Sequence, residues 1–114
     1  MPLNEWSKQI LIAELNDEPA FSDDMDALGR RLEDASGPLP DVIVNLKAVT
    51  YLNSSNIAQL LKLRKQLHNA EARMRICAVS NEIYSVIATT GLDKMFQFTD
   101  DVSTSLTSLH MSGE

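Results

Sequence analysis

The apolar positions of this chain fall into short runs that switch between two periods, one suited to strands and one to helices. Ile10 to Leu15 is a compact apolar run closed by the turn-forming Asn16-Asp17-Glu18-Pro19, which predicts a strand; Leu3 to Trp6 is too short to assign. Ser22 then stands as a helix cap, with Asp23 and Asp24 in the first turn, where carboxylates favour the positive end of the helix dipole. Phe21, Met25, Leu28 and Leu32 follow at helical spacing. Ser36-Gly37-Pro38-Leu39-Pro40 breaks that pattern, and the β-branched run Val42-Ile43-Val44 predicts a central strand buried on both faces. From about Ser55 to Asn69, Ile57, Leu60, Leu61 and Leu67 hold one helical stripe, while Gln59, Lys62, Lys65 and Gln66 occupy other faces. Arg75 to Val79 predicts a strand, Asn81 to Thr89 a helix with Ile83, Val86 and Ile87 inward, and Met95 to Phe98 a short strand. Asp100-Asp101 opens a last helix carrying Val102, Leu106 and Leu109.

Strands that alternate with helices require right-handed crossovers, so the expected class is α/β. The expected architecture is a mostly parallel mixed sheet of four to five strands, with about four helices packed largely on one face. A length of 114 residues suits one domain over residues 1–114, with residues 111–114 as a frayed tail and no internal repeat. A chain 44% hydrophobic and 23% charged carries enough apolar surface to offset the entropy of ordering.

Charge removes some functions. A formal charge of −6 argues against direct nucleic-acid binding, which depends on clustered Lys and Arg. Lys62, Arg64, Lys65, Arg73 and Arg75 nevertheless crowd the middle of the chain, while Asp17, Glu18, Asp23, Asp24 and Asp26 crowd the start. The apolar runs are far shorter than the roughly 20 residues that span a bilayer, and no basic-then-apolar leader opens the sequence, so no membrane insertion is expected. The lone Cys77 lies in the apolar run Ile76-Cys77-Ala78-Val79, which fits a buried thiol and a cytoplasmic location.

Catalytic and cofactor chemistry find little support. The sequence holds no nucleophile elbow and no phosphate loop, and its two histidines, His68 and His110, have no second ligand at metal spacing. Non-enzymatic action without metal or cofactor is expected. His68 near the end of the long helix suits the helix dipole, and Gly91 suits a left-handed cap followed by the staple-like Leu92.

The most informative segment is Val49-Thr50-Tyr51-Leu52-Asn53-Ser54-Ser55-Asn56-Ile57, which joins the central strand to the long helix. It puts two hydroxyls at a helix N-terminus, where unpaired N–H groups and the dipole would stabilise an added phosphate. A phosphate there would bring nearly two negative charges and could repel a docked partner. The alternative is that Ser54 or Ser55 simply caps the helix.

The stretch from about Asp41 to Leu109 resembles the STAS domain of anti-sigma factor antagonists. The resemblance lies in the buried strand Val42-Ile43-Val44-Asn45-Leu46, the turn Asn53-Ser54-Ser55-Asn56 where the family has Asp-Ser-Ser-Gly, the strand Ile76-Cys77-Ala78-Val79, and Thr90-Gly91-Leu92-Asp93-Lys94-Met95-Phe96. It implies that Ser54 is a phosphoacceptor and that Asn53, Ser54, Ser55, Asn56 and Ile57 meet a protein partner. That partner would be a serine-kinase anti-sigma factor, with a phosphatase to reset the switch. Asn53 for the family's Asp keeps the shape and removes the charge, while Asn56 for its Gly adds a side chain where a kinase would approach. These departures motivate an alternative, a non-phosphorylated STAS scaffold in a stressosome-like or membrane-transport-associated complex, which leaves room for an oligomer. A third reading is a small-molecule sensor, to which no residue points.

Overall fold

The computed structural model describes residues 3–7 and 9–111; of the frayed tail expected at 111–114, Met111 is instead the last residue of a helix and 112–114 lie outside the described residues. Five strands, β1 (Leu3–Ser7), β2 (Ile10–Asn16), β3 (Asp41–Ala48), β4 (Met74–Cys77) and β5 (Phe98–Thr99), form one sheet in the order β1-β2-β3-β4-β5. β1 pairs antiparallel to β2, and the other three pairings are parallel. Four helices, α1 (Ala20–Glu33), α2 (Ser54–Asn69), α3 (Asn81–Thr89) and α4 (Val102–Met111), fill the connections and the end of the chain.

The two-residue period of the strands divides the core. Leu11, Ala13, Leu15, Val42, Val44, Leu46 and Ile76 turn to one face, where they meet Phe21 and Leu28 of α1, Leu60 and Leu67 of α2, and Ile83 and Ile87 of α3. Ile12, Ile43 and Cys77 turn to the other face and meet Leu109 of α4, with Val102 and Leu106 at the margin. The sheet therefore has three helices on one side and one on the other. Val42, Ile43 and Val44 are fully buried, as expected of a central strand covered on both faces.

Local chemistry corrects several expectations. Ser22 does not cap α1: Pro19 holds the cap position without a side-chain bond, and Ser22 instead donates its N–H and hydroxyl to Glu18. Leu63, not assigned to the α2 stripe, is buried, while Leu61 is only partly so. Val86 is 42% exposed, because a nine-residue helix lying on the sheet through Ile83 and Ile87 leaves it on the flank. The strand expected at 95–98 starts late. After Gly91, at φ 77°, the chain makes a 3₁₀ turn over Leu92–Met95, and only Phe98–Thr99 pairs with β4. β1, too short to assign from sequence, gains its order by pairing with β2. β4 ends at Cys77 because Ala78 takes a left-handed φ of 57°.

Candidate functional site

β2 and β3 run parallel, in register from Ile10 opposite Asp41 to Glu14 opposite Asn45, and then shift by one residue so that Asn16 lies opposite Ala48. Their carboxyl ends therefore lie side by side, and the residues that follow each strand meet. Val49 and Leu52 dip into the core and pin the loop that leaves β3, leaving Thr50 and Tyr51 exposed between them. Asp17 clamps the loop: its carboxylate accepts the Thr50 N–H at 2.8 Å and the Thr50 hydroxyl at 2.6 Å. The Thr50 hydroxyl and N–H hold the Asp17 carboxyl below the usual range, since both bonds favour its charged form.

Asn53 caps α2 from extended backbone. Its side-chain oxygen accepts the Asn56 N–H at 2.8 Å, and the Asn56 side-chain oxygen accepts the Asn53 N–H at 3.1 Å, so the pair forms a reciprocal capping box built of two asparagines. The Asn56 amide nitrogen donates to Glu18 Oε2 at 3.2 Å and to Gln59 Oε1 at 3.3 Å. Gln59 in turn donates to Ser22 Oγ at 3.1 Å, which donates to Glu18 Oε2 at 2.5 Å. The network ties the start of α1 to the start of α2. Donation from Ser22, hydroxyl first and N–H second, with Asn56 adding to it, keeps the Glu18 carboxyl below its ordinary range.

This arrangement decides where the candidate residues stand. Asn56 is 1% exposed and Ile57 7%, so both face inward. The side chain at position 56, expected to stand where a partner approaches, is instead consumed beneath the turn. Asn53, Ser54 and Ser55 are exposed. The cap belongs to Asn53, so Ser54 and Ser55 are the first two helical residues, and among the described residues their hydroxyls have no hydrogen-bond partner. At that position the backbone N–H groups also lack an intrahelical acceptor.

The sequence reading did not single out Asp17, Glu18, Thr50 or Gln59 as site residues. Asn16 to Pro19 read as turn formers, with Asp17 and Glu18 also part of the acidic crowding at the start of the chain; the available signal was the parallel pairing, which brings the residues after two such strands together. Elsewhere, Ser80 caps α3 by accepting the Ile83 N–H at 3.1 Å, and Asp101 caps α4 by accepting the Thr104 N–H at 2.7 Å. Cys77 is buried, and burial pushes its thiol up, out of the reactive range. Among the described residues no cluster of three His, Cys, Asp or Glu could hold a metal, and no helix is long and apolar enough to cross a membrane.

Comparison with known proteins agrees with this architecture. The family model described as STAS domain matches residues 4–105. An anti-sigma-factor antagonist (STAS) domain protein from Planctomyces limnophilus superposes with a TM-score of 0.80 at 16% identity, covering 95% of this chain and 96% of the other. A chain from the molecular architecture of the stressosome, a signal integration and transduction hub, gives 0.78 at 9% identity over 99% of this chain and 100% of the other. The STAS domain of a SulP transporter from Vibrio cholerae gives 0.74 at 15% identity, over 90% and 84%. At such identities these likenesses speak to the fold.

Proposed function

Because this chain belongs to the STAS domain family, we propose that it acts as an anti-sigma factor antagonist-like binding protein in the cytoplasm, docking a serine-kinase anti-sigma factor through the turn at Asn53, Ser54 and Ser55. Ser54 is the phosphoacceptor in this reading, and a phosphatase restores the docking form. Asn56 and Ile57 serve from beneath, as the support of the contact surface. One observation carries the proposal: the asparagine box takes over capping and leaves an exposed Ser54 hydroxyl, unbonded among the described residues, at the first position of α2. A phosphate on that oxygen would sit by the positive end of the helix dipole, and its charge would repel an acidic docking surface.

Intact-mass analysis after incubation with ATP and each serine kinase of the source organism tests this reading, with Ser54→Ala alongside. The expected result is a gain of one phosphate that the variant loses. No gain with any kinase active on a control substrate would remove the switch.

The buried Asn56 favours a second reading, in which the turn is a fixed, neutral contact surface in an assembly and is never phosphorylated. It predicts a complex whose affinity is indifferent to Ser54→Ala.

A further inference from the structure

α2 begins at the serine turn and ends at the opposite end of the strands, where its last turns, the start of β4, the end of the 3₁₀ turn and the segment after it line an open cavity of about 210 Å³. Its apolar lining comes from Met74, Met95 and Phe96, with Leu67 buried behind them, and its polar lining is cationic. Four of the chain's ten Lys and Arg residues, Arg64, Arg73, Arg75 and Lys94, line it together with His68, and no carboxylate among the described residues does, in a chain whose formal charge is −6.

Ordinary structural duties account for part of this. Arg73 pairs with Asp41 at 3.0 Å, and Arg75 donates to Ser108 Oγ at 2.9 Å and to the Met74 carbonyl. His68 in the last turn of α2 answers the negative end of the helix dipole. Those duties do not extend to Arg64 and Lys94. They come from different elements and converge on the cavity, and neither forms an ion pair among the described residues. Arg64 is held in place by its Nε–H, which donates to the Met95 carbonyl at 2.5 Å. A guanidinium fixed through Nε keeps its terminal N–H groups for a ligand.

We infer that this cavity is a binding site for a small phosphate monoester with a compact apolar body, the phosphate held by Arg64 and Lys94 and the body resting on Met74, Met95 and Phe96. The size agrees with a small ligand: roughly 150 Å³ accommodates a benzene ring, whereas drug-sized ligands take about 300 Å³ or more. Arginine suits a phosphate because its planar fork donates in pairs to adjacent oxygens, with lysine adding a point charge. The partial negative charge at the end of α2 opposes the anion with about half an elementary charge, less than the two full charges of Arg64 and Lys94. The site lies about 15 Å along α2 from Ser54, by the helical rise of ten residues, and acts independently of any modification there.

The test is a titration followed by ¹⁵N NMR at constant ionic strength, with inorganic phosphate and phenyl phosphate as probes and sodium chloride as the control. The expected result is a saturable shift of the Arg64 Nε–H and the amides of residues 94–97, with phenyl phosphate binding about tenfold tighter than inorganic phosphate because its ring is buried. Arg64→Gln with Lys94→Gln should weaken phenyl phosphate binding about tenfold or more. Lys62→Gln with Lys65→Gln, an equal charge change at exposed positions of the same helix outside the cavity, should leave it unchanged. If the Arg64 change unfolds the protein, Lys94→Gln alone, at an exposed position, carries the test. Shifts that match those from chloride, or an equal loss in the Lys62 and Lys65 variant, would overturn the assignment.

Discussion

Two helices of this protein start beside serines and use the hydroxyls in opposite ways. At α3, Ser80 is the cap, and its oxygen is occupied by the Ile83 N–H. At α2 the cap is Asn53, and Ser54 and Ser55 fall one and two positions inside the helix with their hydroxyls unoccupied among the described residues. A serine near a helix start is thus structural or available for chemistry according to a shift of one residue, and the residue before it decides which. The α2 turn also has a second tier. Asn56 closes the box from within the helix and hands its remaining donors to Glu18 and Gln59, whereas the cap of α3 stands on one hydrogen bond.

The contrast can be broken most strongly at Asn56. Asn56→Ala leaves the Asn53 N–H without its partner and removes one of the three donors that hold Glu18, and urea denaturation should show a loss of about 2 kcal/mol, within the usual cost of unsatisfied polar groups. A loss near zero would mean that the two-tier description is wrong. The serines themselves give a smaller effect. Ser80→Ala should lower stability by about 1 kcal/mol through loss of its cap, while Ser54→Ala should change it by less than about 0.5 kcal/mol, since alanine is a good helix former and no bond is lost. Equal losses at the two positions would erase the distinction.

The smallest effect is electrostatic. Glu18 titrates below its ordinary value of 4.5 in the folded chain, so it contributes stability that is complete above that value and is lost as pH falls through the folded value. Glu18 is in contact with solvent, which screens the effect. Stability measured from pH 6 down to pH 3 should fall less steeply in Glu18→Gln than in the parent, and parallel curves would show that the network does not sense this charge.

Much of the fold is legible in the sequence because burial leaves a periodic mark. Val42-Ile43-Val44, the spacing of Phe21, Met25, Leu28 and Leu32, and the left-handed Gly91 all do what their patterns predict. Patterns fail where the signal is short or the deciding contact is distant. Four residues at 95–98 cannot separate a strand from a 3₁₀ turn, and Val86 looks like a core residue until the width of the sheet contact is known. The serine turn could be located, but its internal assignments could not. Glu18, Ser22, Asn56 and Gln59 meet across more than thirty residues of chain, and only the pairing of β2 with β3 brings them together. The same holds for the cationic cavity, whose Arg64 and Lys94 are joined by the fold and not by proximity in sequence.

The Asp17 clamp on Thr50 has a kinetic consequence. It fastens the loop after one strand to the loop after its neighbour, so the surface beside Ser54 is already in a single shape before anything covers it. A surface of that kind loses little conformational freedom on contact, so the arrival of a partner is governed by diffusion and orientation instead of a rearrangement of the loop. Changes in the turn would then be felt chiefly in how long a complex lasts.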